Sequence, residues 1–272
     1  MRFGISANVD IPDGPRLARI AYEVLEGQDV MLENEIAKVF HAKGHDMEDM
    51  DVDIMLAVGG DGTILRALQK NPAPVFGINA GDLGFLTEVQ DEMIEEGLER
   101  ILNNDYRLDE RIKLSTKVGK TRLMDATNEA VVHTANVANI RHFRVFVDEE
   151  LAMDVRADGI IVATPTGSTC YAMSVGGPIL DPRVHGLVIA PMAAFKFAGR
   201  PTVVPAESHI RLDVLRPKPC VMVIDGQDEV AMDGSESVYF TVSPDTAKFV
   251  SLGRTFYTKM REKLTGGGPC WS

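Results

Sequence analysis

Hydrophobic positions in the first hundred residues alternate between two kinds of pattern. Continuous apolar runs bounded by turn residues, which are typical of buried parallel strands, occur at residues 3–7, 54–58 and 74–78. Apolar side chains recurring on one helical face occur at residues 15–25, 32–41 and 92–102. Because strands and helices take turns along the chain, this region predicts an α/β domain whose parallel sheet is covered by helices.

After Tyr106 the pattern changes to short β-rich runs separated by turn residues. These runs are at residues 130–132, 143–147, 159–163, 187–190, 210–215 and 221–224. They predict a mostly antiparallel, β-sandwich-like domain. We therefore expect an α/β domain at 1–107 and a β-rich domain at 108–249. The segment from about 250 to 272, with a short helix at 255–264, is expected to return to the first domain.

Composition narrows the possible partners. The chain has 272 residues, with 28 Lys and Arg against 40 Asp and Glu, giving a net charge of −12. Such an acidic surface disfavours binding to nucleic acid or anionic lipid. No apolar run approaches the ~20 residues of a membrane span, and the three cysteines form no CxxC pair. We expect a soluble, cytoplasmic protein with no membrane or nucleic-acid partner.

The sharpest motif is Gly59-Gly60-Asp61-Gly62-Thr63, between the 54–58 strand and a helical stretch at 64–69. Glycines at a strand-to-helix turn let several backbone N–H groups approach a phosphate chain, at the positive end of the helix. Asp61 would repel phosphate there, so it suits a base toward a hydroxyl or a group that helps hold a metal ion. The simpler alternative is a turn in which Asp61 caps the helix.

GGDGT alone leaves the phosphoryl acceptor open. NAD kinases and lipid kinases of the diacylglycerol and sphingosine types share it, and phosphofructokinases carry GGDG. It is not a Walker A loop, because the Lys-Ser/Thr ending is missing. No GxGxxG follows the first strand, which argues against a Rossmann dehydrogenase.

Further motifs make the chain resemble the NAD kinases. Residues 77–86, GINAGDLGFL, are similar to the family stretch G-x-N-x-G-x-x-G-F-L. Asn128-Glu129 matches the family's Asn-Glu pair, and residues 158–171, DGIIVATPTGSTCY, resemble its D-G-x-x-x-x-T-P-T-G-S-T-A-Y signature. Met192-Ala193, Arg200-Pro201 and Asp225-Gly226 fit later segments. The motifs occur in family order over nearly the whole chain.

The resemblance implies roles for individual residues. Asp61 would take the proton of the ribose 2′-hydroxyl of NAD. Asn128 and Glu129 would contact the adenosine half, Asp158 would accept from the nicotinamide amide, and Asp225 would border the same site. The other residues implied in nucleotide binding are Gly59, Gly60, Gly62, Thr63, Asn79, Phe85, Thr166, Thr169, Tyr171 and Ala193.

Local alternatives accompany these roles. Asn128 could cap a turn, residues 164–168 could form an ordinary hydroxyl-rich turn, and Tyr171 could be a core or rim aromatic. Asp225-Gly226 is also a good hairpin turn. Two departures from the family pattern are Cys170, where alanine is usual and which we expect to tighten that pocket, and residues 194–197, which put the nicotinamide contacts in doubt.

The glycine loop contains no lysine, so the donor phosphates need backbone amides, Mg²⁺ or an arginine such as Arg66. The resemblance implies ATP as co-substrate and Mg²⁺ bound through the donor phosphates, with no metal ligands assigned in the protein. Other triphosphates or polyphosphate as donor, and NADH as acceptor, stay open. Family members are usually homodimers or homotetramers. The competing hypotheses are a lipid kinase, which the acidic charge disfavours, and a non-catalytic NAD(H)-binding regulator, which the retained Asp61 disfavours.

Overall fold

The computed structural model describes residues 1–81, 84–136, 139–195 and 199–265. The chain forms two compact units. The first comprises Met1–Glu110 together with the chain from Ala247 onward, and the second comprises Arg111–Thr246. Within the described ranges, no helix has both the length and the apolar character needed to cross a membrane.

The first unit is an open sheet of parallel strands with helices on both faces. Up to residue 110 its strands are β1 (Arg2–Ala7), β2 (Asp29–Glu33), β3 (Gly44–His45), β4 (Ile54–Gly59) and β5 (Val75–Asn79). Its helices are α1 (Gly14–Val24), α2 (Asn34–Phe40), α3 (Asp61–Lys70) and α4 (Ile94–Leu102). The strand order is β5-β4-β1-β2-β3, and each pairing is parallel.

The two faces of this sheet are covered by different helices. Buried side chains of α1, α2 and α4 pack in one cluster with β1 and β4. Those of α3 pack in another, together with Met47 and Met50. Residues 32–41 are not one helix as predicted, because Leu32 and Glu33 pair with β3 as the end of β2, and α2 begins only at Asn34.

The strand order positions the glycine motif. From β1 the chain adds β2 and β3 on one side, and it then returns to place β4 and β5 on the other. In open α/β sheets, ligands bind beyond the carboxyl ends of the two strands where this reversal occurs. Here those strands are β1 and β4, and β4 ends at Gly59, the first residue of the glycine motif.

The second unit contains two antiparallel sheets with a shared apolar core. The strands of one sheet are, in spatial order, β10 (Glu150–Ala157), β9 (Arg141–Val147), β14 (Ile210–Leu215) and β17 (Val238–Ser251), with β6 (Arg107–Val118) pairing to β17 and to β7 (Thr121–Arg122). Those of the other sheet are β13 (Thr202–Pro205), β12 (Gly186–Met192), β11 (Gly159–Ala163), β8 (Glu129–Thr134), β15 (Cys220–Ile224) and β16 (Asp228–Met232). Phe143 and Phe240 of the first sheet pack in one cluster with Ile160 and Met222 of the second. The predicted fold class, an α/β domain followed by a β-sandwich-like domain, is therefore confirmed.

Six of these strands, β8, β9, β11, β12, β14 and β15, have bounds within two residues of the predicted runs. Strands β6, β7, β10, β13, β16 and β17 had no predicted run. The helices after residue 106 are α5 (Tyr171–Ser174), which was not predicted, and α6 (Phe256–Thr265), which lies within one residue of the predicted helix at 255–264.

Strand β17 takes the chain from the second unit back into the first. Within the first unit, Phe249 pairs with Val75 of β5 in parallel. Helix α6 is held there by Glu88, whose Oε1 accepts the Leu252 N–H (2.7 Å) and whose Oε2 accepts from Lys259 Nζ (2.7 Å). The Glu88 and Lys259 side chains are both buried. Because ion pairs removed from water are costly to break, this pair fixes α6 firmly.

Candidate active site

The glycine motif forms a tight turn with one open side. Gly60 caps α3, and Asp61 is the first helical residue. A Cβ on Gly59 would lie 2.2 Å from Thr63 Oγ1, so any side chain there would displace the buried Thr63. No atom lies within 4 Å of the place where a Cβ of Gly60 would be. The backbone at Gly60 is thus open to a ligand at the positive end of α3, as a phosphate requires.

Asp61 is held by the loop that follows β5. Its Oδ2 accepts the backbone N–H of Phe85 (2.9 Å), and its Oδ1 accepts that of Leu86 (3.0 Å). A Cβ on Gly84 would lie 2.1 Å from Asp61 Oδ1, so only glycine permits this approach. The structure therefore brings Asp61 and Phe85 together, although they are distant in sequence.

Asn79 ends β5 beside this loop. Its Nδ2 donates to the Gly81 carbonyl (2.9 Å), and its Oδ1 is buried with no partner among the described residues. Asp82 and Leu83, which belong to the predicted 77–86 motif, lie outside the described residues. The unpartnered amide oxygen makes Asn79 a possible acceptor for a ligand hydrogen bond.

In the second unit, Asp225 organises the Asn-Glu pair. The turn after β15 has positive φ at Asp225 (51°) and Gly226 (66°), as a type I′ turn requires. The Asp225 carboxylate accepts the N–H groups of Thr127 (2.7 Å), Asn128 (2.7 Å) and Glu129 (3.1 Å). Asp225 is thus both a hairpin residue and the group that shapes the start of β8.

Glu129 is a buried carboxyl group beside that aspartate. Burial, and then the charge of Asp225, raise the pKa of Glu129 to about 8. Burial also raises the pKa of Asp225, against the three backbone N–H bonds that favour its ionised form. Because Asp225 has these donors and Glu129 Oε2 has no partner among the described residues, we assign the proton of the pair to Glu129.

We expect Glu129→Gln to raise the stability of the protein at neutral and alkaline pH. At pH values below 4.5 the carboxyl is protonated in both states. Between 4.5 and about 8 the unfolded chain releases this proton while the folded protein retains it, so stability falls as pH rises. The amide does not titrate, so the variant should gain a few kcal/mol over the parent at pH 8. Urea unfolding from pH 5 to 9 measures this, and an equal pH slope for both proteins would contradict it.

A cavity of about 440 Å³ in the second unit includes several of the predicted residues. The cavity is lined by Glu129, Asp158, Tyr171 and His133. The apolar part of its wall includes Val131, Met192 and Val223. The Tyr171 side chain is exposed, so it is a rim aromatic. An apolar cavity with a few polar groups at its wall is typical of a site for a nucleotide-sized ligand.

The 164–169 turn supports the same region. Thr164 Oγ1 donates to the Thr127 carbonyl (2.6 Å), and a Cβ on Gly167 would lie 2.1 Å from the Asn128 carbonyl oxygen. Thr166 and Thr169 are buried within the turn, where Thr169 Oγ1 donates to the Thr166 carbonyl (3.1 Å). The turn therefore packs directly against the backbone at the Asn-Glu pair.

Two predicted positions have unexpected features. Cys170 Sγ lies 3.3 Å from Asn128 Nδ2 and accepts its hydrogen bond, so the cysteine orients that amide as well as filling space. Asn128 Oδ1 is buried and lacks a partner in the described ranges. Ala193 has φ of 45°, a left-handed conformation that is strained for alanine and that often marks functional sites.

Lys196 and Phe197, predicted to depart from the family pattern, lie outside the described residues.

Two family models cover most of the chain. The ATP-NAD kinase N-terminal domain matches residues 21–106, and the ATP-NAD kinase C-terminal domain matches residues 127–252. The chain belongs to the NAD kinase family.

Proteins of similar sequence and structure support this family assignment. An NAD kinase of Methanothermobacter thermautotrophicus is 42% identical over 278 residues, covering 98% of each chain. One of Pyrococcus abyssi is 41% identical over 273 residues, covering 97% of this chain and 99% of its own. The crystal structure of an NAD kinase from Archaeoglobus fulgidus in complex with ATP has a TM-score of 0.81 at 30% identity, covering 96% and 99% of the two chains. A yeast NADH kinase complexed with NADH, at 20% identity and a TM-score of 0.89, shares the fold over all of this chain and 89% of its own.

Arg66, which the sequence suggested as a ligand of the donor phosphates, instead contacts a serine and two glutamates of the protein. Its guanidinium donates to Ser6 Oγ (3.1 Å) and lies 3.7 Å from Glu33 and 3.8 Å from Glu35. Burial raises the pKa of Glu33, and Arg66 opposes that effect as its cationic neighbour. The arginine therefore balances carboxylates on the first unit.

Sequence analysis missed Lys263. Its Nζ lies 3.9 Å from Asp61 Oδ2 and 4.7 Å from the centroid of the Phe85 ring. It is 202 positions from Asp61 in sequence, so no local spacing pointed to it. Its helix was predicted, and its contacts were not.

Proposed function

We propose that this chain transfers the terminal phosphoryl group of ATP to the 2′-hydroxyl of the adenosine ribose of NAD, giving NADP, with Asp61 as the general base. Membership of the NAD kinase family supports the reaction. The observation that carries the role of Asp61 is its carboxylate, fixed by two backbone N–H groups at an open glycine loop beyond the switch point of the sheet.

The two backbone hydrogen bonds suit a base. A carboxylate has about four lone-pair positions, so one N–H on each oxygen fixes its orientation and leaves acceptor capacity for a hydroxyl. In the proposed step the 2′-oxygen attacks the terminal phosphorus, its proton passes to Asp61, and the bond to the ADP oxygen breaks. As in other kinases, positioning and charge stabilisation supply most of the rate enhancement.

Residues of the second unit are proposed to bind NAD. The unpartnered Asn128 Oδ1 and the protonated Glu129 would hydrogen-bond the adenosine half. Asp158 and Tyr171, at the cavity wall, would bind toward the nicotinamide, together with Thr166, Thr169 and the backbone of Ala193. For Asp225 we propose an indirect role, since its carboxylate is occupied by the backbone of the Asn-Glu pair.

The donor is proposed to enter as Mg²⁺–ATP, bound by the backbone of Gly59, Gly60, Gly62 and Thr63. Among the described residues, no group of three or more His, Cys, Asp or Glu side chains is arranged to hold a metal ion. We propose that Mg²⁺ is held mainly by phosphate oxygens and water. A cytoplasmic location and a homodimeric or homotetrameric state complete the proposal, and light scattering after size-exclusion chromatography tests the latter.

The direct test is incubation of the purified chain with Mg²⁺–ATP and NAD, with NADP read through an NADP-specific dehydrogenase. The matched control is NAD that lacks the adenosine 2′-hydroxyl, which should give no phosphorylated product. Formation of NADP from NAD, with no phosphorylated product from the analogue, would establish the activity. Measurable NAD binding with no NADP from ATP, another triphosphate or polyphosphate would favour the non-catalytic regulator instead.

A further inference from the structure

A polyanionic donor needs local positive charge at the glycine loop. The protein carries a net charge of −12, and Asp61 adds a negative charge at the loop itself. Backbone N–H groups and the α3 dipole supply only partial charges. Arg66 is engaged with Ser6, Glu33 and Glu35. Because the Mg²⁺–ATP complex still carries net negative charge, a protein cation close to Asp61 would favour its binding beside that carboxylate.

Lys263 is positioned to supply that charge. Its Nζ is 3.9 Å from Asp61 Oδ2, which is too long for a hydrogen bond. Its side chain is 37% exposed, and its ammonium also lies over the Phe85 ring, 4.7 Å from the centroid. An ammonium held this loosely retains three donors for a ligand oxygen. It can move to a phosphate without breaking a strong bond.

The contacts that fix α6 also set the position of Lys263. Lys259 and Lys263 are four residues apart, so both lie on the same face of the helix. Lys259 is buried against Glu88 (2.7 Å), and Arg254 Nη1 donates to the Glu88 carbonyl (3.2 Å). These contacts fix the helix face one turn before Lys263. Helix α6 therefore holds a partly exposed cation beside the proposed base.

We propose that Lys263 binds the terminal phosphoryl group of the donor during its transfer. Its Nζ would donate to a non-bridging oxygen of that group while the bond from the 2′-oxygen to phosphorus forms and the bond from phosphorus to the ADP oxygen breaks. The 2′-hydroxyl proton goes to Asp61, and Mg²⁺–ADP leaves. This inference rests on the kinase function proposed above.

The first test compares Lys263→Met and Lys263→Arg with Arg261→Met, which removes one positive charge from the exposed side of the same helix. We expect Lys263→Met to lower kcat/KM for ATP by about 10²–10³-fold, as loss of one transition-state donor does. KM for NAD should change less than about threefold, and arginine should restore most of the loss. Equal kinetics for Lys263→Met and Arg261→Met would overturn the inference.

The second test uses the unsubstituted protein and does not depend on a variant folding. A lysine-reactive acyl phosphate of ATP transfers its acyl group to a nearby Nζ as ATP leaves, and mass spectrometry locates the label. Labelling of Lys263 that ATP suppresses would support the inference, whereas labelling confined to other lysines, or none, would overturn it. If the parent protein forms no NADP, the kinase function itself fails. If it forms NADP without these effects, only the role of Lys263 fails.

Discussion

Replacing Asp61 with asparagine is expected to lower kcat by about 10²–10⁴-fold, the range for loss of a general base. The amide cannot accept the 2′-hydroxyl proton. It also presents an NH₂ group to one of the two backbone N–H groups, at Phe85 or Leu86, that now bind the carboxylate. NADP formation under saturating NAD and Mg²⁺–ATP measures the effect.

The matched control for Asp61→Asn is Asp91→Asn, which makes the same charge change at an aspartate paired with Arg16 on the first unit. It should retain the parental kcat. NAD affinity of both variants, measured by calorimetry, separates loss of chemistry from loss of binding. If Asp61→Asn formed NADP within a few-fold of the parent rate, Asp61 would have no role as the base.

Replacing Asp225 with asparagine is expected to have the largest effect on stability. Asparagine has one acceptor oxygen where the carboxylate has two, so at least one of the Thr127, Asn128 and Glu129 N–H groups loses its bond in a buried site. A buried unsatisfied donor costs about 1–3 kcal/mol, and hydrogen bonds to charged groups are stronger than neutral ones. We expect the free energy of unfolding to fall by about 2–4 kcal/mol.

The same substitution should weaken NAD binding and lower the pKa of Glu129, because the charge of Asp225 contributes to raising it. Glu229→Gln, at an exposed position of the same hairpin, removes one negative charge and is the control. Urea unfolding at pH 7 gives the stability of each protein. A stability loss no larger than in the control would mean that the three backbone bonds contribute little.

Local patterns in the sequence predicted most elements of the fold. The apolar run at 54–58 becomes β4, and the run at 159–163 matches β11 (Gly159–Ala163), because burial on both faces of a sheet selects continuous apolar sequence. The helix predicted at residues 32–41 was wrong at its start. Leu32 fits a helical face equally well, but it lies in β2, where it pairs with Ile5 and Gly44. Tertiary pairing decides such short segments.

Motifs in the sequence select single candidate residues, but they do not reveal the partners of those residues. Asp61 and Asn128 could be selected from their motifs, whereas the partnership of Asp225 with the Asn128 N–H joins residues 97 apart. Glu88 and Lys259 are 171 apart, and neither belongs to a pattern that indicates a buried ion pair. Contacts of this range depend on the whole topology, so composition and spacing do not reveal them.

The discontinuous first unit has a consequence for synthesis on the ribosome. Its sheet receives Phe249 beside β5, and Glu88 receives Lys259, only after residues 111–246 have been made. The second unit is one continuous segment, so it can complete its core as soon as it leaves the exit tunnel. The amino-terminal segment therefore lacks its pairing with Phe249 and the Lys259 contact until the end of synthesis, and Lys263 is among the last groups to reach Asp61.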